Sequence, residues 1–120
     1  MSCSVSVRPV GAVSIVDVTG RVTLGEGSSK MRDVIKKLAL DGSKNILVNL
    51  HGVSYLDSSG LGELVSAYTS VTNAGGQIKL LHVQSIVKQL LQVTKLYTVF
   101  ATFEDESLAL QSFTPAVASA

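Results

Sequence analysis

The chain has 120 residues, a net charge of +1 from ten Lys/Arg against nine Asp/Glu, 46% hydrophobic residues and a single cysteine. That is the size of one ordinary domain with enough apolar material for a core, and it argues against disorder. The near-neutral balance gives no electrostatic footprint for nucleic acid or an anionic membrane, and one cysteine excludes an internal disulfide.

Residues 2–7 alternate polar and apolar as a half-buried strand does, with Cys3 read as a small core residue. Arg8-Pro9-Val10-Gly11 supplies turn chemistry, residues 12–19 are β-rich, and Gly20 ends the resulting hairpin. Residues 21–29 read as a loop. Ser28 or Ser29 then caps a helix whose Met31, Val34, Ile35 and Leu38 form one apolar stripe, stopped at Asp41-Gly42. Lys30, Arg32, Lys36 and Lys37 read as the solvated face of that helix.

Residues 45–50 are short and apolar, the pattern of a buried central strand, and residues 51–56 lead from it to a serine turn. From Ser58 onward Leu61, Leu64, Val65, Tyr68 and Val71 mark a second helix, ended by Asn73-Ala74-Gly75-Gly76. Residues 77–82 read as a strand, Ser85 as the cap of a third helix carrying Val87, Leu90 and Leu91, residues 97–103 as a last strand, and residues 104–113 as a short helix. Residues 114–120 read as a frayed tail. The order is ββαβαβαβα: one α/β domain, core about 5–113, with helices packed on a mixed sheet. No signal-peptide pattern begins the chain, and no run of about 18 apolar residues suggests a membrane span, so a cytoplasmic protein without membrane insertion is expected.

Asp57-Ser58-Ser59-Gly60-Leu61-Gly62 is the stretch that carries chemistry. It places two hydroxyls where a helix N-terminus emerges, with unpaired N–H groups and a partial positive charge that suit a phosphate. A helix cap is the plainer use of Asp and Ser there. Two hydroxyls exceed what one cap needs, and Gly60 and Gly62 each weaken the first turn by about 1 kcal/mol against Ala. Both glycines are expected to clear the surface around the serines for a partner. A serine nucleophile would need a base; His51 and His82 sit at strand ends with nothing to bring them to Ser58, and no Gly-x-Ser-x-Gly elbow is present. Two histidines and a remote cysteine make no metal cluster, Gly20 to Gly27 lacks a phosphate-loop pattern with Gly25-Glu26-Gly27 read as a flexible loop tip, and Glu104-Asp105-Glu106 reads as first-turn helix charge. The residues point to a non-enzyme.

Leu47-Val48-Asn49-Leu50, the run from Val53 to Gly62, and Gly75-Gly76-Gln77-Ile78 resemble the STAS domain, and more narrowly the bacterial anti-sigma factor antagonists. The resemblance covers about residues 5–113. It implies a small cytoplasmic switch protein that binds an anti-sigma factor with serine kinase activity and thereby releases a sigma factor. It further implies phosphorylation of Ser58 by that kinase, weakened binding, and resetting by a serine phosphatase. ATP and Mg²⁺ belong to the kinase, so no cofactor is expected here. Asp57, Ser58, Ser59, Gly60 and Gly62 would shape the docking surface, with Thr23 as a neighbour. Thr23 stands where the family commonly has an acidic residue, which alters docking if that acid orients the kinase. The alternative the family offers is a STAS scaffold or lipid-transport subunit in which Ser58 only caps the helix.

Overall fold

The computed structural model describes residues 3–113. Five strands form one sheet in the order β1-β2-β3-β4-β5: β1 (Cys3–Val10) pairs antiparallel with β2 (Val13–Val22), and β3 (Asn45–Leu56), β4 (Gln77–Leu81) and β5 (Thr102–Phe103) follow in parallel. Helices α1 (Glu26–Leu40), α2 (Ser58–Asn73) and α3 (Ser85–Val93) join the strands, and α4 (Glu106–Ser112) closes the described chain. This is the expected element order. The main core lies between the sheet and α1–α3, where Val16, Val18, Ile46, Val48 and Leu50 meet Met31, Ile35, Leu64 and Val87. A smaller cluster of Ile15, Leu47, Leu81, Ala109 and Phe113 packs α4 on the other face. Buried on both faces, the middle of β3 is continuously apolar for the reason a central parallel strand must be.

Several boundaries differ from the sequence reading. The hairpin turn falls after Val10, because Pro9 is tolerated in β1, an edge strand. Gly20 does not end β2; Thr19, Gly20, Arg21 and Val22 pair with Gly52, Val53, Tyr55 and Leu56 through two register irregularities. The same pairing carries β3 to Leu56, so residues 51–56, polar enough to read as a connection, are strand. Asn49 fits one irregularity by accepting the His51 N–H on its side-chain oxygen at 3.1 Å.

Helix α1 starts at Glu26, ahead of both serines expected to cap it. Gly25 is the N-cap, and Ser28 is inside the helix, 4% exposed. Tertiary packing decides this start. A Cβ at Gly27 would lie 2.5 Å from the Arg21 carbonyl oxygen, so only glycine lets the first turn press on β2. The basic residues of α1 are exposed as expected, with Lys30 bridged to Glu26 at 3.0 Å and Lys37 to Asp41 at 3.2 Å. The Lys30 ammonium also donates to the Cys3 carbonyl at 2.9 Å. Cys3 itself is buried, and burial pushes its thiol pKa up.

Gln84, not Ser85, is the N-cap of α3; Ser85 is its first residue. Residues 97–103 are not one strand. A 3₁₀ turn at Leu96–Thr98 precedes the two-residue β5, because Leu96, Val99 and Phe100 all turn toward the main core instead of alternating across a sheet. Helix α4 begins two residues after the expected start, capped by Asp105, whose carboxylate accepts the Leu108 N–H at 3.0 Å. Arg8 ties it down, bridging Glu106 at 3.0 Å and Asp17 at 2.6 Å. The expectation for 114–120 lies outside the described residues.

Candidate functional site

The site is the junction where β3 ends and α2 begins, beside the exit of β2. Val22 is in register with Leu56, and the Asp57 N–H donates to the Val22 carbonyl at 3.3 Å. The chain thus leaves the sheet already anchored to the neighbouring strand. Asp57 is extended and serves as N-cap of α2: its Oδ1 accepts the Gly60 N–H at 3.0 Å. Its Oδ2 accepts the Leu24 N–H at 3.1 Å, from the loop between β2 and α1. One carboxylate therefore fixes both the helix start and the adjacent loop. The Gly60 N–H foremost, and then the N–H groups of Leu24 and Ser59, hold its pKa below the usual carboxylate value against some desolvation.

With Asp57 as the cap, the serines are released from that task. Ser58 is the first residue of α2 and exposed; among the described residues its hydroxyl makes no hydrogen bond within the chain. Ser59 is half-buried. The cap reading of Ser58 is therefore replaced by a cap at Asp57, whose carboxylate accepts two N–H groups.

The two glycines differ. Gly62 is exposed, and a Cβ there would meet nothing within 4 Å, so it leaves open surface one turn from Ser58. Gly60 is buried instead: its Cβ would lie 2.6 Å from the Val22 carbonyl oxygen and 2.6 Å from Leu56 Cδ1. Its use is to let α2 approach the sheet, and this inward role replaces the surface-clearing role expected from sequence.

Thr23 is half-buried on the loop beside Asp57, its carbonyl accepting the Ser28 N–H at 3.0 Å. The loop that carries Thr23 is tied to the start of α2 by the Leu24–Asp57 bond. What the sequence reading missed is Leu24 and the pair formed by Arg21 and Tyr55. The Arg21 guanidinium stands 4.8 Å from the Tyr55 ring centroid, a cation–π contact set by their direct pairing across β2 and β3. Alternation alone could have suggested a shared face, but only the irregular register brings these two residues opposite one another.

His51, one of the two bases the sequence offers, is not placed at Ser58. His51 lies five residues before Leu56 on β3, about 16 Å along an extended strand. Its ring packs against His82 at 5.3 Å between centroids. Among the described residues no group of three or more His, Cys, Asp or Glu side chains is placed to hold a metal, and no helix is long and apolar enough to cross a membrane.

A sheet of this order, with an exposed serine at the first position of the helix after β3, is matched along nearly its whole length by a family model described as the STAS domain, over residues 4–109. The chain belongs to the STAS domain family. An anti-sigma-B factor antagonist of Staphylococcus aureus is 31% identical over 67 residues, covering 56% of this chain and 62% of that relative. This STAS domain thus matches less than two thirds of the length of such curated relatives. In fold it is similar to an anti-sigma factor antagonist from Mycobacterium paratuberculosis, with TM-score 0.84 at 20% identity over 93% of this chain and 94% of that one. It is also similar to the Bacillus protein SpoIIAA, solved in unphosphorylated form (TM-score 0.78, 19% identity, 91% and 95% covered) and in phosphorylated form (TM-score 0.75, 18% identity, 92% and 100% covered).

Proposed function

We propose that this STAS domain is an anti-sigma factor antagonist whose unphosphorylated form binds an anti-sigma factor with serine kinase activity, so releasing a sigma factor, and that phosphorylation of Ser58 ends the binding. The observation that carries this reading is the exposed Ser58 hydroxyl, without a hydrogen bond among the described residues, on a helix start that Asp57 already caps. The names of its sequence relatives support it. The kinase supplies ATP and Mg²⁺. The Ser58 Oγ–P bond forms as the bond from the γ-phosphorus to the β-γ bridging oxygen breaks, ADP leaves, and the hydroxyl proton passes to the kinase. A serine phosphatase hydrolyses the ester and resets the switch. The protein itself is a regulator without catalysis, working in the cytoplasm.

The positive end of α2 favours a phosphate by about 0.3–1 kcal/mol, and the Asp57 carboxylate beside it opposes one by like-charge repulsion. These offset, so the modification leaves the fold intact. At a contact surface it adds a charge of about −1.5 to −2, and burying that without a partner costs on the order of 2–5 kcal/mol, or about 30- to several-thousand-fold in affinity. The test is incubation with Mg-ATP and the anti-sigma serine kinase of the same genome, followed by peptide mass spectrometry. One phosphate on Ser58 is expected. Ser58→Asp should keep its circular dichroism and melting temperature while losing the partner. A site at Ser59 that survives Ser58→Ala, or global unfolding of Ser58→Asp, would falsify the assignment.

A further inference from the structure

Leu24 is 80% exposed, on the loop joining β2 to α1. An isolated exposed leucine is ordinary. This one differs in how it is held. Its own N–H is bonded to the Asp57 carboxylate whose other oxygen caps α2, so the Leu24 backbone and the Ser58 turn are fixed to one group. Behind it the chain is tied again, by the Ser28 N–H on the Thr23 carbonyl and the Ser29 N–H on the Gly25 carbonyl at 3.1 Å. An apolar side chain displayed from so constrained a loop loses little backbone freedom when it is covered. One pair further back on the two strands is the Arg21–Tyr55 stack, with Tyr55 36% exposed. The surface around the acceptor serine therefore offers one protruding aliphatic side chain and a cation on an aromatic ring, with Thr23 as a neutral neighbour.

We infer that Leu24 is the apolar anchor by which the Ser58 kinase docks: the partner presents an apolar pocket beside the site where it holds ATP, and Leu24 enters it as Ser58 reaches the γ-phosphate. The inference rests on the reading of Ser58 as a kinase acceptor. Leu24 touches no reacting atom; it is a positioning residue, and it acts on binding of the unphosphorylated protein. Covering a leucine side chain corresponds to about ten- to a hundredfold in affinity.

The experiment measures binding by titration calorimetry, and steady-state phosphorylation, for the full chain with each purified anti-sigma serine kinase of the source genome. Leu24→Ser should weaken binding about ten- to a hundredfold and raise KM in proportion, with kcat and melting temperature unchanged. Leu24→Met should restore most of the affinity. Wild type and Leu24→Ser binding within twofold of each other would overturn the role of Leu24 while leaving the kinase reading in place. A fall in kcat with KM unchanged would also overturn it, since an anchor does not act on the chemical step. Failure of the wild type to bind or accept phosphate from any of these kinases would sink the functional reading on which the inference rests.

Discussion

Asp57→Ala removes the carboxylate shared by the helix start and the adjacent loop, and its effect can be worked from two bonds. The Gly60 N–H loses its cap at 3.0 Å and the Leu24 N–H its acceptor at 3.1 Å. Cap removal costs about 0.5–2 kcal/mol and a second net hydrogen bond about 0.5–1.5 kcal/mol. Asp57 is half-exposed, so water reaches the freed N–H groups and the sum falls in the lower part of that range, about 1–2 kcal/mol. For a domain of this size the melting temperature should drop by roughly 4–8 °C. Asp57→Asn, which keeps one side-chain oxygen, should lose about half as much. The carboxylate pKa is lowered by folding, so its contribution is complete above the unfolded value near pH 4 and is lost as pH falls through the lower folded value. The gap between wild type and Asp57→Ala should therefore be constant from about pH 5 to 8 and close in stronger acid. Urea midpoints across that range test this, with amide exchange at Leu24 and Gly60 as a local readout. Equal stability at pH 7, or a gap that persists undiminished in acid, would refute the assignment of both bonds to the ionised side chain.

Gly60→Ala and Gly62→Ala should move in opposite directions. At Gly60 the new methyl meets the Val22 backbone oxygen, which cannot swing aside, and overpacking of about 1–3 kcal/mol outweighs a helix-propensity gain of about 1 kcal/mol. At Gly62 the methyl meets open space and only the gain remains; thermal melts of the two variants decide. Thr23→Asp should speed kinase association a few-fold, more at low salt, as an exposed charge worth about 0.2–1 kcal/mol does. Association and phosphorylation rates at two salt concentrations check this, and no change in either would place Thr23 outside the interface.

Most of the element order was legible because strong periodicity marks it: the stripe of α1, the apolar run of β3, the glycines after α2. What escaped is information held between elements. Residues 51–56 are strand only because the second half of β2 lies beside them, and nothing in their own pattern says so. The start of α1 is set by Gly27 against β2, a contact invisible to a search for Ser caps. At the site, the serine turn was readable from local chemistry alone. The division of labour within it was not: that Asp57 caps while Ser58 stays free, that Gly60 faces inward while Gly62 faces out, and that the Asp57 carboxylate reaches across 33 residues to Leu24 are results of packing.

The proline in β1 bears on how the protein behaves when crowded with copies of itself. A sheet ending in an eight-residue strand offers an open ladder on which a second molecule could lay its own first strand. Pro9 leaves a gap in the donors near one end of that ladder, and the Lys30 ammonium already occupies the Cys3 carbonyl at the other. Both features disfavour the pairing of two copies edge to edge along β1.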